Sequence, residues 1–155
     1  PERAAWSKVL KEEIAASFAG FDKAKDTSKF FDKYQLLNDE SKVEFWSELI
    51  IAVMNFESGY NPESIYHEPP PLSVDSIGLL QLSYGDHFCP KSKADGDLKD
   101  PVVNIKCGVK IMASLIEKDG MISTPDNHGA ARYWSVLREK RKLPQVIAKF
   151  KGNWK

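Results

Sequence analysis

Residues 41–59 read SKVEFWSELIIAVMNFESG, and this stretch decides the fold. Val43, Trp46, Ile50, Val53 and Glu57 follow one another at intervals of three, four, three and four residues, so on an α-helix they share one face. Ser41, with Glu44 three places later, has the pattern of a capping box at the helix start. Ser58-Gly59 supplies the stop, because glycine enters the left-handed conformation that closes a helix without a Cβ penalty. Glu44 and Glu48 fall on the other side of this helix, where carboxylates belong. Glu57 instead continues the apolar stripe at the last turn. Desolvation there disfavours its charged form, and an anion at the negative end of the helix dipole is disfavoured again. Both effects raise the pKa of Glu57. A carboxylic acid held protonated near neutral pH can give a proton to a leaving sugar oxygen. The plainer reading is a polar residue at a frayed helix end, or one half of an ion pair.

Outward from this helix, the chain reads as one mostly helical domain. Trp6, Val9, Leu10, Ile14 and Phe18 stand at helical spacing from Ala5 to Phe18, with Gly20 expected to end that helix. Phe30, Phe31, Tyr34 and Leu37 suggest a second short helix. Asn61-Pro62 marks a turn, and Glu68-Pro69-Pro70-Pro71 reads as a rigid surface loop, with a proline-recognition ligand as the alternative. The segment DSIGLLQL from Asp75 to Leu82 fits either a strand or the opening of a helix. Asp100-Pro101 is a helix start, with an acidic N-cap and proline at the first helical position. Val102, Ile105, Val109, Met112 and Ile116 then form a buried stripe up to Asp119-Gly120. A further helix is expected near Gly129, carrying Ala130, Tyr133, Trp134 and Leu137. A last short helix opens at Pro144 and runs through Ile147 and Phe150.

At 155 residues the chain has the length of one domain, which buries roughly 70% of its unfolded surface and needs no metal to hold it together. Apolar residues make up 42% and charged residues 28%. Lys and Arg number 22 against 22 Asp and Glu, and without a basic surplus nucleic acid is not an expected partner. The local run Arg132, Arg138, Lys140, Arg141, Lys142 reads as a solvated helix face. No apolar run approaches the roughly 20 residues needed to span a bilayer. The start at Pro1 is read as that of a processed product whose signal peptide is gone. Cys89 and Cys107 form a disulfide or remain two buried thiols; a bridge would stabilise by roughly 3 kcal/mol. A metal set of His87, Cys89, Cys107 and His128 matches no zinc spacing, so neither metal nor cofactor is expected.

Three stretches resemble the soluble lytic transglycosylase family, which is related to goose-type lysozymes. Glu57-Ser58-Gly59-Tyr60-Asn61-Pro62 looks like its ES-x-x-N-P motif. Ser76-Ile77-Gly78-Leu79-Leu80-Gln81-Leu82 is similar to its G-L-M-Q-I segment. Asp100-Pro101-Val102-Val103-Asn104-Ile105-Lys106-Cys107-Gly108 resembles D-P-x-x-N-I-x-x-G. All three occur in the family's order, between about Phe45 and Ile116. The resemblance implies a lysozyme-like, two-lobed helical domain with a small β or irregular element and a glycan groove between the lobes. In that groove Glu57 would be the acid, Gln81 a lining residue and Ser58 a supporting hydrogen-bonder, with Tyr60 a further candidate for substrate contact.

The chain departs from the family in two places. Arg132-Tyr133-Trp134-Ser135-Val136 stands where the family carries A-Y-N-A-G, so Tyr133 matches the tyrosine, while Trp134 either stacks on a sugar or belongs to the core. The loop from Tyr66 to Val74 (YHEPPPLSV) has the look of an insertion at the groove rim. Residues 1–40 match nothing in the family and are read as a helical N-terminal extension on a 41–155 core.

The expected chemistry is cleavage of peptidoglycan strands between N-acetylmuramic acid and N-acetylglucosamine, by lytic transglycosylation or by hydrolysis, without a cofactor. An inverting hydrolase needs a second carboxylate, for which Asp75 and Asp86 are the candidates. The competing reading is a non-catalytic peptidoglycan-binding module. A monomer acting outside the cytoplasm, periplasmic or secreted, is expected.

Overall fold

In the computed structural model, which describes residues 2–154, the stretch quoted first becomes the central helix of the molecule. In chain order the elements are α1 (Glu2–Ala16), a single turn α2 (Phe18–Phe21), that central helix as α3 (Asp39–Ser58), β1 (Ile65–His67), β2 (Asp75–Ile77), α4 (Pro101–Asp119) and α5 (Leu143–Asn153). The class is mostly α and lysozyme-like, with one small hairpin, as expected.

Helix α3 begins earlier than its capping-box pattern suggested. Asn38 is the N-cap, its Oδ1 accepting the N–H of Ser41 at 2.8 Å. Ser41 therefore sits inside the first turn, and Asp39 and Glu40 precede it where the helix dipole favours acids. At the other end Gly59 takes the left-handed conformation, φ +59, and its N–H returns to Asn55 O. Phe45, Trp46, Leu49, Ile50, Ala52, Val53 and Met54 are all buried, which is more than one face, and both α1 and α5 pack against α3.

The first 40 residues belong to this same core. Leu10, Ile14, Phe21, Phe30 and Tyr34 are buried with the α3 side chains. Tyr34 accepts from Trp46 Nε1 at 2.9 Å and donates to Asp22 at 2.8 Å. Buried Asp26 accepts the N–H groups of Ile122 and Ser123 at 2.7 and 3.1 Å and pairs with Lys29 at 3.0 Å. Gly20 does not end α1, which stops at Ala16. It lies within α2, where a Cβ would come 2.9 Å from the carbonyl oxygen of Ala113 on α4. The second short helix expected around Phe30 is instead two 3-10 turns, Thr27–Lys29 and Tyr34–Leu36.

Helix α4 starts as read: Asp100 Oδ1 accepts the N–H of Val102 at 2.9 Å, Pro101 follows, and Gly120 closes the helix. The helix expected after Gly129 is not formed. Two 3-10 turns, Gly129–Arg132 and Ser135–Leu137, take its place. The Arg138 guanidinium occupies the carbonyls of Ala131 and Arg132 at 2.9 and 3.3 Å, acceptors that an α-helix would give to later N–H groups. The basic run 138–142 is accordingly a turn rather than a helix face. Helix α5 extends beyond Phe150 to Asn153. None of the described helices is long and apolar enough to cross a membrane.

Candidate functional site

The C-terminal turn of α3, the hairpin and the segment after α4 border one open groove of about 960 Å³. The hairpin is antiparallel, with Ile65 opposite Ile77, Tyr66 opposite Ser76 and His67 opposite Asp75. Past Ile77 the Asp75–Leu82 segment is neither strand nor helix. It folds into a tight turn closed by reciprocal hydrogen bonds between Ile77 and Leu82 at 2.7 and 3.0 Å. Gly78 makes this turn at φ +79, where a Cβ would meet Asn104 Nδ2 and Leu98 O at 2.5 Å.

Glu57 lies at the groove, partly buried, and its Oε2 is buried with no hydrogen-bond partner among the described residues. Buried polar atoms are nearly always paired, which sets this carboxyl oxygen apart. Burial first, and then the nearby charge of Glu68, push the Glu57 carboxyl from its ordinary 4.5 up to about 7. The hairpin supplies Glu68, whose Oε1 accepts from Ser76 Oγ at 3.2 Å. Sequence reading placed Glu68 in a proline-rich surface loop. The alternation of Ile65-Tyr66-His67 before the prolines and Asp75-Ser76-Ile77 after them is the signal that would have shown a hairpin carrying it to the groove.

Gln81 lines the groove with its backbone at φ +54, its amide held by the carbonyls of Gly78 at 3.0 Å and Ser64 at 3.2 Å. Ser58 is not among the groove residues and ties two elements together: its Oγ donates to Leu79 O at 2.9 Å, fastening the end of α3 to the Gln81 turn. Tyr133 lines the groove and donates its hydroxyl to Asp86. Burial and that carboxylate raise its pKa, and the Glu57 charge adds to the shift. Trp134 borders the groove but is only 1% exposed and donates Nε1 to Leu80 O at 3.0 Å, so its side chain belongs to the core.

Two candidates stand elsewhere. Tyr60 lines a separate cavity with Trp6, Met54 and Ile105, its ring stacked by Arg3 at 4.8 Å. The left-handed turn at Gly59 and Tyr60, φ +59 and +64, is what carries it away from Glu57. Asp75 is exposed on the hairpin, paired with His67 at 2.5 Å, and is not among the groove residues. Asp86 does line the groove, but one of its oxygens is engaged by both Tyr133 and the Ser83 N–H. Cys89 and Cys107 are bonded to each other, with Cα atoms 5.0 Å apart, which removes both from any metal set.

Residues 36–145 match the family model described as the transglycosylase SLT domain. Among solved structures, the chain is similar to Bd0314 DslA in its wild-type form 2, at 29% identity, covering 97% of this chain and 89% of that one with a TM-score of 0.80. Two mutant forms of DslA, each with one glutamate replaced by glutamine, match over the same shares at 29% and 30% identity, with TM-scores of 0.80 and 0.78. The two replaced glutamates are as far apart along that chain as Glu57 and Glu68 are along this one. No curated protein sequence matches.

Proposed function

We infer the reaction from one premise: the chain belongs to the transglycosylase SLT domain family, whose general chemistry is lytic-transglycosylase-type cleavage of peptidoglycan. In this chain the groove receives a glycan strand, and Glu57 protonates the glycosidic oxygen between N-acetylmuramic acid and N-acetylglucosamine. The observation that carries this reading is the Glu57 carboxyl itself. It is held up to about 7 by burial and by Glu68, and one of its oxygens is buried without a partner.

As the glycosidic bond breaks, positive charge develops on the sugar ring. The Glu68 charge, which also raises the pKa of the acid, stabilises the positive charge on the ring. In the family's chemistry the sugar's own 6-hydroxyl then attacks the anomeric carbon, Glu57 takes the hydroxyl proton, and a 1,6-anhydro end is released. A second reading, hydrolysis, is favoured by the same hairpin glutamate, since a second groove carboxylate can activate water. That role falls to Glu68 rather than to Asp75, which is outside the groove, or Asp86, which is engaged by Tyr133. Gln81 and Tyr133 line the strand's path. The work of such an enzyme lies outside the cytoplasm, where peptidoglycan is, and needs no cofactor.

Glu57→Gln keeps the shape and removes the proton. Release of soluble fragments from purified sacculi is expected to fall at least about a hundredfold; a rate within twofold of the wild type would remove Glu57 from the mechanism. Fragment masses separate the two outcomes, since an anhydro end is lighter than a hydrolysed one by one water.

A further inference from the structure

The groove also carries a positive charge that neither the fold nor the acid uses. Of the arginines in the segment 132–141, Arg132 is locked to Asp119 by two hydrogen bonds of 2.6 and 3.1 Å. Arg138 is locked to the carbonyls of Ala131 and Arg132. Arg141 lines the groove and is exposed, and its guanidinium has no hydrogen bond or ion pair among the described residues. Lys140 and Lys142 on either side of it are also exposed and equally unpaired. In a chain of zero net charge, Arg141 at the groove, with Lys140 and Lys142 next to it in the chain but outside the groove lining, gives a local positive field suited to an anion.

The ligand that fits is anionic in one part only. Near Glu57 the groove presents carboxylates, Glu68 and Asp86, and along the hairpin it presents exposed apolar side chains, Tyr66 and Leu72 at 55% and 66% exposure. A bare sugar strand satisfies the apolar and hydrogen-bonding surfaces and leaves Arg141 without a partner. A peptidoglycan strand carries peptide branches with free carboxylates, and a carboxylate is the group a guanidinium fork binds best.

We propose that Arg141 binds a carboxylate of the peptide branch on the glycan strand, making the preferred substrate a peptide-bearing strand with free carboxylates. This rests on the reading of the groove as the site of glycan cleavage. That contact sets how the strand lies in the groove, so Arg141 is a specificity-determining residue and its loss acts on KM rather than kcat.

The test uses sacculi freed of phosphate polymers with hydrofluoric acid, half of them with their carboxylates converted to amides by carbodiimide and ammonium. The full chain, Arg141→Gln and Arg141→Lys are compared for fragment release and for co-sedimentation with each preparation. Wild type is expected to cleave and bind amidated sacculi about fivefold less well, the size of a good exposed ion pair. Arg141→Gln is expected to treat native sacculi as the wild type treats amidated ones and to be indifferent to amidation, while Arg141→Lys retains most of the preference. A wild type indifferent to amidation, or an Arg141→Gln still slowed by it, overturns the proposal. So does an Arg141→Gln defect seen only on sacculi that keep their phosphate polymers, which assigns the cluster to phosphate. Charge-dependent co-sedimentation without any released fragment would sink the cleavage reading while leaving the Arg141 assignment standing.

Discussion

Asn104 on α4 accepts the N–H of Leu80 on its Oδ1 at 2.9 Å and donates from Nδ2 to the carbonyls of Ile77 and Leu98, both also at 2.9 Å. One fully buried amide therefore fixes both sides of the turn that carries Gln81 to the groove. Leu80 is seated by the same helix, since a Cβ on Gly108 would come 2.5 Å from Leu80 Cδ1. Asn104→Leu keeps the branching of the side chain and strands three buried backbone groups, each costing about 1–3 kcal/mol. Urea unfolding is expected to show a loss of at least about 3 kcal/mol. A loss below about 1 kcal/mol would mean that the turn holds itself.

Glu68 acts on Glu57 through charge, and its removal should be visible in the pH dependence of the reaction. Cleavage by the wild type is expected to decline as pH rises through about 7, where Glu57 loses its proton. Glu68→Gln takes away a negative neighbour, makes ionisation of Glu57 easier, and moves that alkaline limb to lower pH. Burial is the larger cause of the shift, so the limb stays above the ordinary carboxylate range. A kcat/KM profile whose limb is unmoved or moves upward contradicts the assignment.

The 18-residue separation of Cys89 and Cys107 encloses most of the loop between the Gln81 turn and α4. Opening this bridge frees that loop in the unfolded chain, at a cost of about 3 kcal/mol. Alkylation without reductant is expected to label neither cysteine, and reduction is expected to lower the unfolding temperature by several degrees. Labelling of both thiols in the untreated protein would contradict the bridge.

How much of this was legible in the sequence depends on where each residue's partners lie. The partial burial of Glu57 was legible because the stripe that carries it is local to one helix, and the same holds for Asp100-Pro101 at the start of α4. Asn38 was missed as the cap because Ser41 and Glu44 offer a competing local pattern three residues on, and only the tertiary position of α3 decides between them. The segment after Gly129 has helical spacing, yet Arg138 takes its carbonyls, an interaction that no periodicity reports. Glu68, Tyr60 and Asp75 depend on which way a turn sends the chain. The left-handed pair Gly59 and Tyr60 directs Tyr60 to another cavity, and the hairpin brings Glu68 to the groove while leaving Asp75 on the outside.

The proton of Glu57 also has a consequence for stability. In the unfolded chain Glu57 ionises near its ordinary 4.5 and in the folded chain near 7, so the folded state holds the proton more tightly. Its contribution to stability is complete below 4.5 and is lost as pH rises through 7, by at most about 3 kcal/mol. Glu57→Gln abolishes that dependence. The most direct measurement is a site-resolved carbon-13 titration of the Glu57 carboxyl in the free protein, with Glu57→Gln to assign the signal. The expected midpoint is about 7, falling when Glu68 is replaced by glutamine; a midpoint at the ordinary 4.5 would mean that Glu57 stands ionised in water at working pH and is no acid catalyst.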